Sequence, residues 1–282
     1  MNSTFQNTEH AIAPAGREPA AAPLDATSSI EKALDVLFHV AGAGSAGVSE
    51  IARALALPKS TAHRLLAALG RRGLIERDAG GRYKPGLRIL ALGLGVLERE
   101  PIVAAARPVL EAAAEEIGET LFLAAARGGR IVVLDKAEGT GFLRAAPRVG
   151  SEVPVHATAV GKLQLAFDPD SVSLPVGAWP RFTPRTPTSR RALEREVARA
   201  RKRGWAENRE EWMPGLVVLA APVIAADRMQ ATLALAALSV RLPAAKTERV
   251  ARKLVAAAAK IGARLEGSAG REAPGPRIRR WA

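Results

Sequence analysis

The sequence predicts an α+β chain in two parts: a small helical module carrying a β-hairpin, a connecting helix, and a larger domain of strands and helices. Three observations predict it. Between residues 29 and 72, apolar side chains recur at helical spacing in three blocks, broken at residues 42–47 and at Leu57-Pro58. Two short runs flank Asp78-Ala79-Gly80-Gly81, the pattern of a hairpin. Beyond Gly118 the chain turns to β-type runs joined by glycine-bearing turns. At 282 residues, two domains are expected.

The first helix opens at Ser29 as N-cap and presents Ile30, Leu34, Leu37 and Val40 to the core. A second, from Ser49 as N-cap to Leu55, carries Ile51. The third starts with Pro58, tolerated in a first turn, and runs to Arg72 before Gly73. Residues 74–77 and 82–85 form the hairpin. Residues 86–98 read as a helix with Leu87, Leu90, Ala91, Leu94 and Leu97 along one stripe, and Pro101 restarts a helix that ends near Gly118.

In the larger part, residues 121–126 and 131–136 pair about Arg127-Gly128-Gly129-Arg130. A strand is expected at 142–145, a loop at 147–154, a helix at 156–167 and an irregular Pro-rich stretch at 168–188. A charged helix follows at 189–203, ended by Gly204. Residues 217–223 and 231–240 pair about Ala226-Asp227-Arg228, and a last helix runs from Pro243 or Ala244 to about Leu265. The expected divisions are a loose tail at 1–28, the hairpin-bearing module at 29–85, a linker or dimerisation helix at 86–100, the larger domain at 101–265, and a loose basic tail at 266–282.

Composition narrows the function. Apolar residues at 48% and charged residues at 24% exclude a wholly disordered chain. Aromatics are 4%, so the core is built from Leu, Val, Ile and Ala. The absence of cysteine removes disulfides, thiolate nucleophiles and Cys-based metal sites. The balance of 41 Lys+Arg against 28 Asp+Glu, +13, favours a polyanionic partner. The first 28 residues lack a basic n-region and an apolar h-region. The apolar stretches 215–226 and 229–240 are separated by Asp227 and Arg228, and each falls short of the roughly 18 residues that span a bilayer. No membrane association is expected, and the chain reads as cytoplasmic.

Three helices and a hairpin within about 60 residues form the layout of a winged helix-turn-helix. At 100° per residue, Ala62, Leu65, Leu66 and Leu69 of the third helix fall within roughly 100° of arc, as a core face requires. Ser60, Arg64, Ala67 and Arg71 lie opposite, flanked by Thr61 and His63. That face suits a major groove: Arg64 matches guanine bidentately, and Ser60 and Thr61 suit bases or phosphates. Between Arg53 and Arg88 there are nine Lys/Arg and two acids, and Arg77, Arg82 and Lys84 on the hairpin are placed to touch phosphate or the minor groove. The candidate DNA-binding residues are therefore Lys59, Ser60, Thr61, His63, Arg64, Arg71, Arg82 and Lys84.

Residues 29–100, above all Val48-Ser49-Glu50-Ile51-Ala52 and the run from Leu57-Pro58-Lys59-Ser60-Thr61 to Leu66, resemble the DNA-binding domain of IclR-type transcriptional regulators. Residues 153–162, Gly204-Trp205-Ala206, Glu210-Glu211-Trp212 with Gly215, and Ala220-Ala221-Pro222-Val223 resemble that family's second domain in the family's order. The resemblance implies a GAF-like effector-binding domain, a homodimer or tetramer on double-stranded operator DNA, and control of small-molecule catabolism. It also implies an effector pocket lined by Ala159, Val160, Asn208, Val218 and Ser239, with Arg241 at the rim. Val218 stands where the family often has cysteine, and Arg241 where a small residue is common. Arg144 and Arg241 are candidate partners for a carboxylate effector, since a guanidinium fork matches that geometry.

Other chemistry finds little support. His10, His39, His63 and His156 fall in separate elements without metal-ligand spacing. No nucleophile motif accompanies His156, and Ala159-Val160-Gly161-Lys162 lacks the glycine spacing of a phosphate loop. No cofactor or catalytic residue is expected. Glu210-Glu211 reads as a loop tether, and the basic helix at 190–203 as an ion-paired, solvated face. Three classes stay open: an effector-responsive transcription factor, a DNA-binding regulator whose second domain only oligomerises, and an enzyme with a nucleic-acid-targeting module.

Overall fold

A computed structural model describes residues 28–97, 99–141 and 147–269. The expected strand at 142–145, Arg144 and most of both tails lie outside the described residues. The chain divides into two compact units, residues 1–96 and 97–282.

The first unit contains α1 (Ser29–Ala43), α2 (Val48–Ala54), α3 (Lys59–Arg71), an antiparallel hairpin of β1 (Ile75–Arg77) and β2 (Tyr83–Pro85), and α4 (Leu87–Leu97). The cap of α1 is Ser28, not Ser29: Ser28 Oγ accepts from the Glu31 amide at 3.2 Å, and the Glu31 carboxylate accepts from the Ser28 amide at 2.6 Å. This reciprocal box outcompetes the single bond Ser29 would make. At α2 the cap is Gly47 rather than Ser49, because Glu50 reaches back to the Gly47 amide at 3.1 Å.

α1 uses the expected face only in part, since Leu37 and Val40 do pack into the core. Val36 and Val40 are buried, whereas Ile30 and Leu34 are exposed and align with exposed Phe38. The helix carries two apolar stripes, and only one meets Ile51, Leu65, Leu66, Leu69 and Ile75 in the module's core. α3 follows expectation, with Ala62, Leu65, Leu66 and Leu69 buried.

The second unit is a six-stranded antiparallel sheet with helices on both faces, a GAF-like arrangement. α5 (Pro101–Ile117) precedes β3 (Thr120–Arg127) and β4 (Arg130–Ala137). Next come β5 (Glu152–Val153), α6 (Ala159–Phe167), α7 (Arg190–Arg203), β6 (Ala206–Arg209), β7 (Leu216–Ala225), β8 (Arg228–Leu238) and α8 (Ala244–Ala269). The spatial order is β5-β4-β3-β8-β7-β6. β7 and β8 join through Ala226 and Asp227, both at positive φ (48° and 57°), the twist a two-residue hairpin turn requires. β5 falls inside the expected loop, and β8 stops at Leu238, short of the expected end.

Strand alternation divides the core. Leu121, Leu123, Val217, Leu219, Leu233 and Leu235 point to α5 and α8. Phe122, Val218, Ala220, Ala234 and Ala236 point to the opposite face with Ala159, Val160 and Leu163 of α6. The alanines matter: a flat, short-chained surface lets a helix approach closely.

α6 begins at Ala159, three residues later than expected. Thr158 fixes its start, donating to Pro154 O (2.7 Å) and accepting from the Gly161 amide (3.1 Å). Gly161 is obligatory there, since a Cβ would stand 1.9 Å from Val155 O.

Candidate nucleic-acid interface and effector site

On α3 the face opposite the core is open. Lys59, Ser60, His63, Arg64 and Arg71 are exposed, Thr61 is half-buried, and the side chains of Lys59, His63, Arg64 and Arg71 hold no hydrogen bond or ion pair among the described residues. Four unengaged side chains on one face of a helix are free to meet phosphates and base edges.

The hairpin residues differ from each other. Lys84 is exposed, 3.9 Å from Glu76. Arg82 is not a free cation: its guanidinium forks onto Glu50, Nη1 to Oε1 at 3.0 Å and Nη2 to Oε2 at 2.7 Å. It also donates to Ser45 O at 3.1 Å. This fork holds the Glu50 carboxyl down to about 2. Arg82 thus fastens the hairpin to α2, whereas Lys84 and the α3 side chains stay exposed.

In the second unit the register builds a polar-ended row under α6. Asn208 faces Val218, Val218 faces Ala236, and Ala236 faces Thr120. Directly opposed side chains share a face, so Asn208 and Val218 lie on the α6 side. Lys162, one turn into α6, donates to Glu207 O at 2.9 Å, which lays the first turn of α6 over β6. Asn208 is fully buried. Its Oδ1 accepts from the Glu211 amide at 2.9 Å, while its Nδ2 has no partner. The amides of Ala159 and Val160 are likewise unbonded among the described residues.

Ser239 and Arg241 are less central. Ser239 lies past the end of β8, held by its amide to Gly215 O at 2.7 Å. Arg241 lies just off the Thr120 end of the row, where Nε donates to Glu119 at 2.6 Å. Its guanidinium is already paired, so an effector carboxylate would have to displace Glu119. Two open grooves, of about 1190 and 320 Å³, lie toward the β7–β8 turn, lined by residues such as Ala226, Gln230 and Arg264 or Gln164, Asp168 and Ser171. Neither includes the expected effector residues.

Lys162 is the residue that sequence reasoning missed. Its side chain is 1% exposed, bonded to Glu211 Oε1 at 2.6 Å and 3.7 Å from Glu196. Burial pushes the Glu211 carboxyl up, against the pull of Lys162. Glu210 turns away to Arg185 at 3.5 Å, so the two adjacent acids do not form a carboxylate pair. Thr183 donates to Glu210 O at 2.7 Å and Thr186 to Glu211 O at 2.6 Å, which ties down the segment as a tether should. His156 lies before α6, buried between Trp179 and Phe182, its Nε2 2.9 Å from Pro180 O. No group of three or more metal-ligating side chains occurs among the described residues. No described helix is long and apolar enough to cross a membrane.

A winged helix with an open basic face, joined in one chain to a sheet-and-helix sensor-type domain, defines a DNA-binding regulator. Residues 29–79 match the IclR helix-turn-helix domain, and residues 94–263 match the bacterial transcriptional regulator IclR C-terminal domain. The chain belongs to the IclR family of transcriptional regulators. It is 36% identical over 210 residues to the probable transcriptional regulator SauR of Cupriavidus necator, covering 72% of this chain and 81% of that one. Its fold is similar to that of the Thermotoga maritima IclR structure (TM-score 0.69, 30% identity, 84% of this chain and 98% of that one). It is also similar to an IclR homolog from Microbacterium hydrocarbonoxydans complexed with 4-hydroxybenzoate (TM-score 0.72, 25% identity, 85% and 100%).

Proposed function

We propose that this regulator acts in the cytoplasm as a homodimer on a pseudo-palindromic operator of a small-molecule catabolic operon, and that a small organic carboxylate alters its grip on DNA. The observation that carries the DNA half is α3, buried through Leu65, Leu66 and Leu69 and open through Lys59, His63, Arg64 and Arg71. Two-fold protein symmetry is mirrored in operator symmetry. Dimerisation is supported by two exposed apolar stripes, Ile30, Leu34 and Phe38 on α1 and Leu87, Leu90 and Leu94 on α4.

The effector reading rests on Asn208. A fully buried amide with an unbonded Nδ2 is costly unless something fills it. The unbonded amides of Ala159 and Val160, at the N-terminus of α6 on the same side of the sheet, are further donors suited to a carboxylate. The complex of the relative with 4-hydroxybenzoate supports an aromatic acid.

A thermal-shift screen of the full chain against small acids, beginning with benzoate and 4-hydroxybenzoate, tests this. An effector at one hundred times its Kd adds about 2.7 kcal/mol to the unfolding free energy. If no acid raises the melting temperature, the carboxylate reading fails.

A further inference from the structure

α7 is the most basic helix of the second unit, and although both of its acids pair with arginines as the sequence suggests, they are too few to engage all its cations. Glu196 turns inward, 3.7 Å from Lys162 and 2.8 Å from Arg199, and Glu194 lies 3.9 Å from Arg190. Arg201 donates to Ala166 O, and Arg203 stacks on Trp205 at 3.6 Å. Arg191, Arg195 and Lys202 are exposed and hold neither hydrogen bond nor ion pair among the described residues.

Their spacing is ordered. At 100° per residue, Arg191, Arg195, Arg199 and Lys202 fall within about 80° of arc, opposite buried Leu193 and Ala200. They form a straight stripe of cations about 16 Å long, at 1.5 Å rise per residue.

We propose that this stripe is a second DNA contact, which grips the phosphate backbone of duplex flanking the sequence read by α3. Charge complementarity points to a polyanion, and the side chains present select among polyanions. No exposed aromatic or large aliphatic residue stands on α7, so the anchor of a protein interface and the stacking platform of a single-strand site are both missing. The helix's apolar face is buried in its own domain, which leaves nothing to insert into a lipid surface. A duplex needs none of these, since it carries one negative charge per about 1.7 Å of axis. Duplex is also the ligand class of the helix-turn-helix unit in the same chain, and a second contact tethered to the first contributes even when weak alone.

The test uses the full chain and a random-sequence duplex of about 60 base pairs, titrated by fluorescence anisotropy between about 50 and 200 mM salt. The combined variant Arg191→Gln, Arg195→Gln, Lys202→Gln should flatten the slope of log K against log salt by about 0.9 per cation removed. An equal charge loss on α8, Arg249→Gln, Arg252→Gln, Lys260→Gln, should leave the slope at its wild-type value. Arg191→Lys with Arg195→Lys, which keeps both charges, should keep it too. An unchanged slope in the α7 triple variant overturns the proposal. Equal flattening in the α7 and α8 triples also overturns it, because bulk charge then explains the loss.

Discussion

Lys162 Nζ lies 2.6 Å from Glu211 Oε1 with the lysine 1% exposed, a buried ion pair linking α6 to the segment after β6. A buried pair contributes little net stability, but losing one partner strands the other charge. Lys162→Met should therefore cost about 3–5 kcal/mol, and adding Glu211→Leu should restore most of it. Urea unfolding of the three variants checks this; a double variant as unstable as the single one refutes the pairing.

The fork of Arg82 on Glu50 makes the hairpin's attachment pH-dependent. Arg82's hydrogen bonds hold the Glu50 carboxyl below its ordinary 4.5, at about 2. A lowered carboxyl contributes stability above its unfolded pKa and loses it as pH falls through the folded one. Attachment should thus be full above about 4.5 and vanish toward about 2. The reporter is hydrogen exchange at Ala46 and Tyr83, whose amides bond each other's carbonyls between hairpin and module at 2.9 Å. Acid should speed their exchange relative to the core of α3, and Glu50→Gln should remove that difference.

Arg64 and Lys84 should separate in DNA binding. If Arg64 reads a base, Arg64→Ala costs about 1–3 kcal/mol and relaxes one position per half-site. Lys84→Ala should weaken all sequences about equally and reduce the salt slope by about one. Arg82→Ala should act like Glu50→Gln, through a loosened hairpin. Binding measured on an operator and on single-base variants of it distinguishes these; equal loss on every sequence in Arg64→Ala makes Arg64 a phosphate contact.

Where information was local, the sequence was legible. The buried face of α3 followed from Leu and Ala at helical spacing, and the end of α7 from Gly204, which adopts φ 77°. β5 was not legible, because two residues carry no periodicity and their partners, Ile131 and Val132, lie twenty residues earlier. The face choice of α1 was ambiguous, since both of its stripes are apolar. Lys162 gave no signal of burial: its partner Glu211 is 49 residues away. The expected effector residues came from family resemblance, and register then separated Asn208 and Val218, in the row, from Ser239 and Arg241, beyond it.

α4 should be an assembly surface. Leu87, Leu90 and Leu94 are 72%, 57% and 48% exposed, so the helix does not bury them within its own unit. Leu94→Asp should shift sedimentation toward monomer and abolish tight operator binding, because each half-site contact alone is weak. A dimer that persists unchanged in this variant retires α4 as the contact.

The effector prediction turns on which residues stand in the row. Val218 lies at its centre between Asn208 and Ala236, on the α6 face. Val218→Phe should fill the space an acid needs, at a folding cost of about 1–3 kcal/mol for overpacking. Calorimetric titration with the acid found by thermal shift should then show no heat, while operator binding persists. Asn208→Ala should weaken the acid by about 1.5–3 kcal/mol, the range for a hydrogen bond to a charged group. Arg241→Ala should change affinity little, because Glu119 already holds that guanidinium. Ser239→Trp, outside the row, should also bind. The acid loosens or tightens DNA only through unequal affinity for two conformations. Full affinity in Val218→Phe together with loss in Ser239→Trp would move the pocket to the strand ends near Gly215.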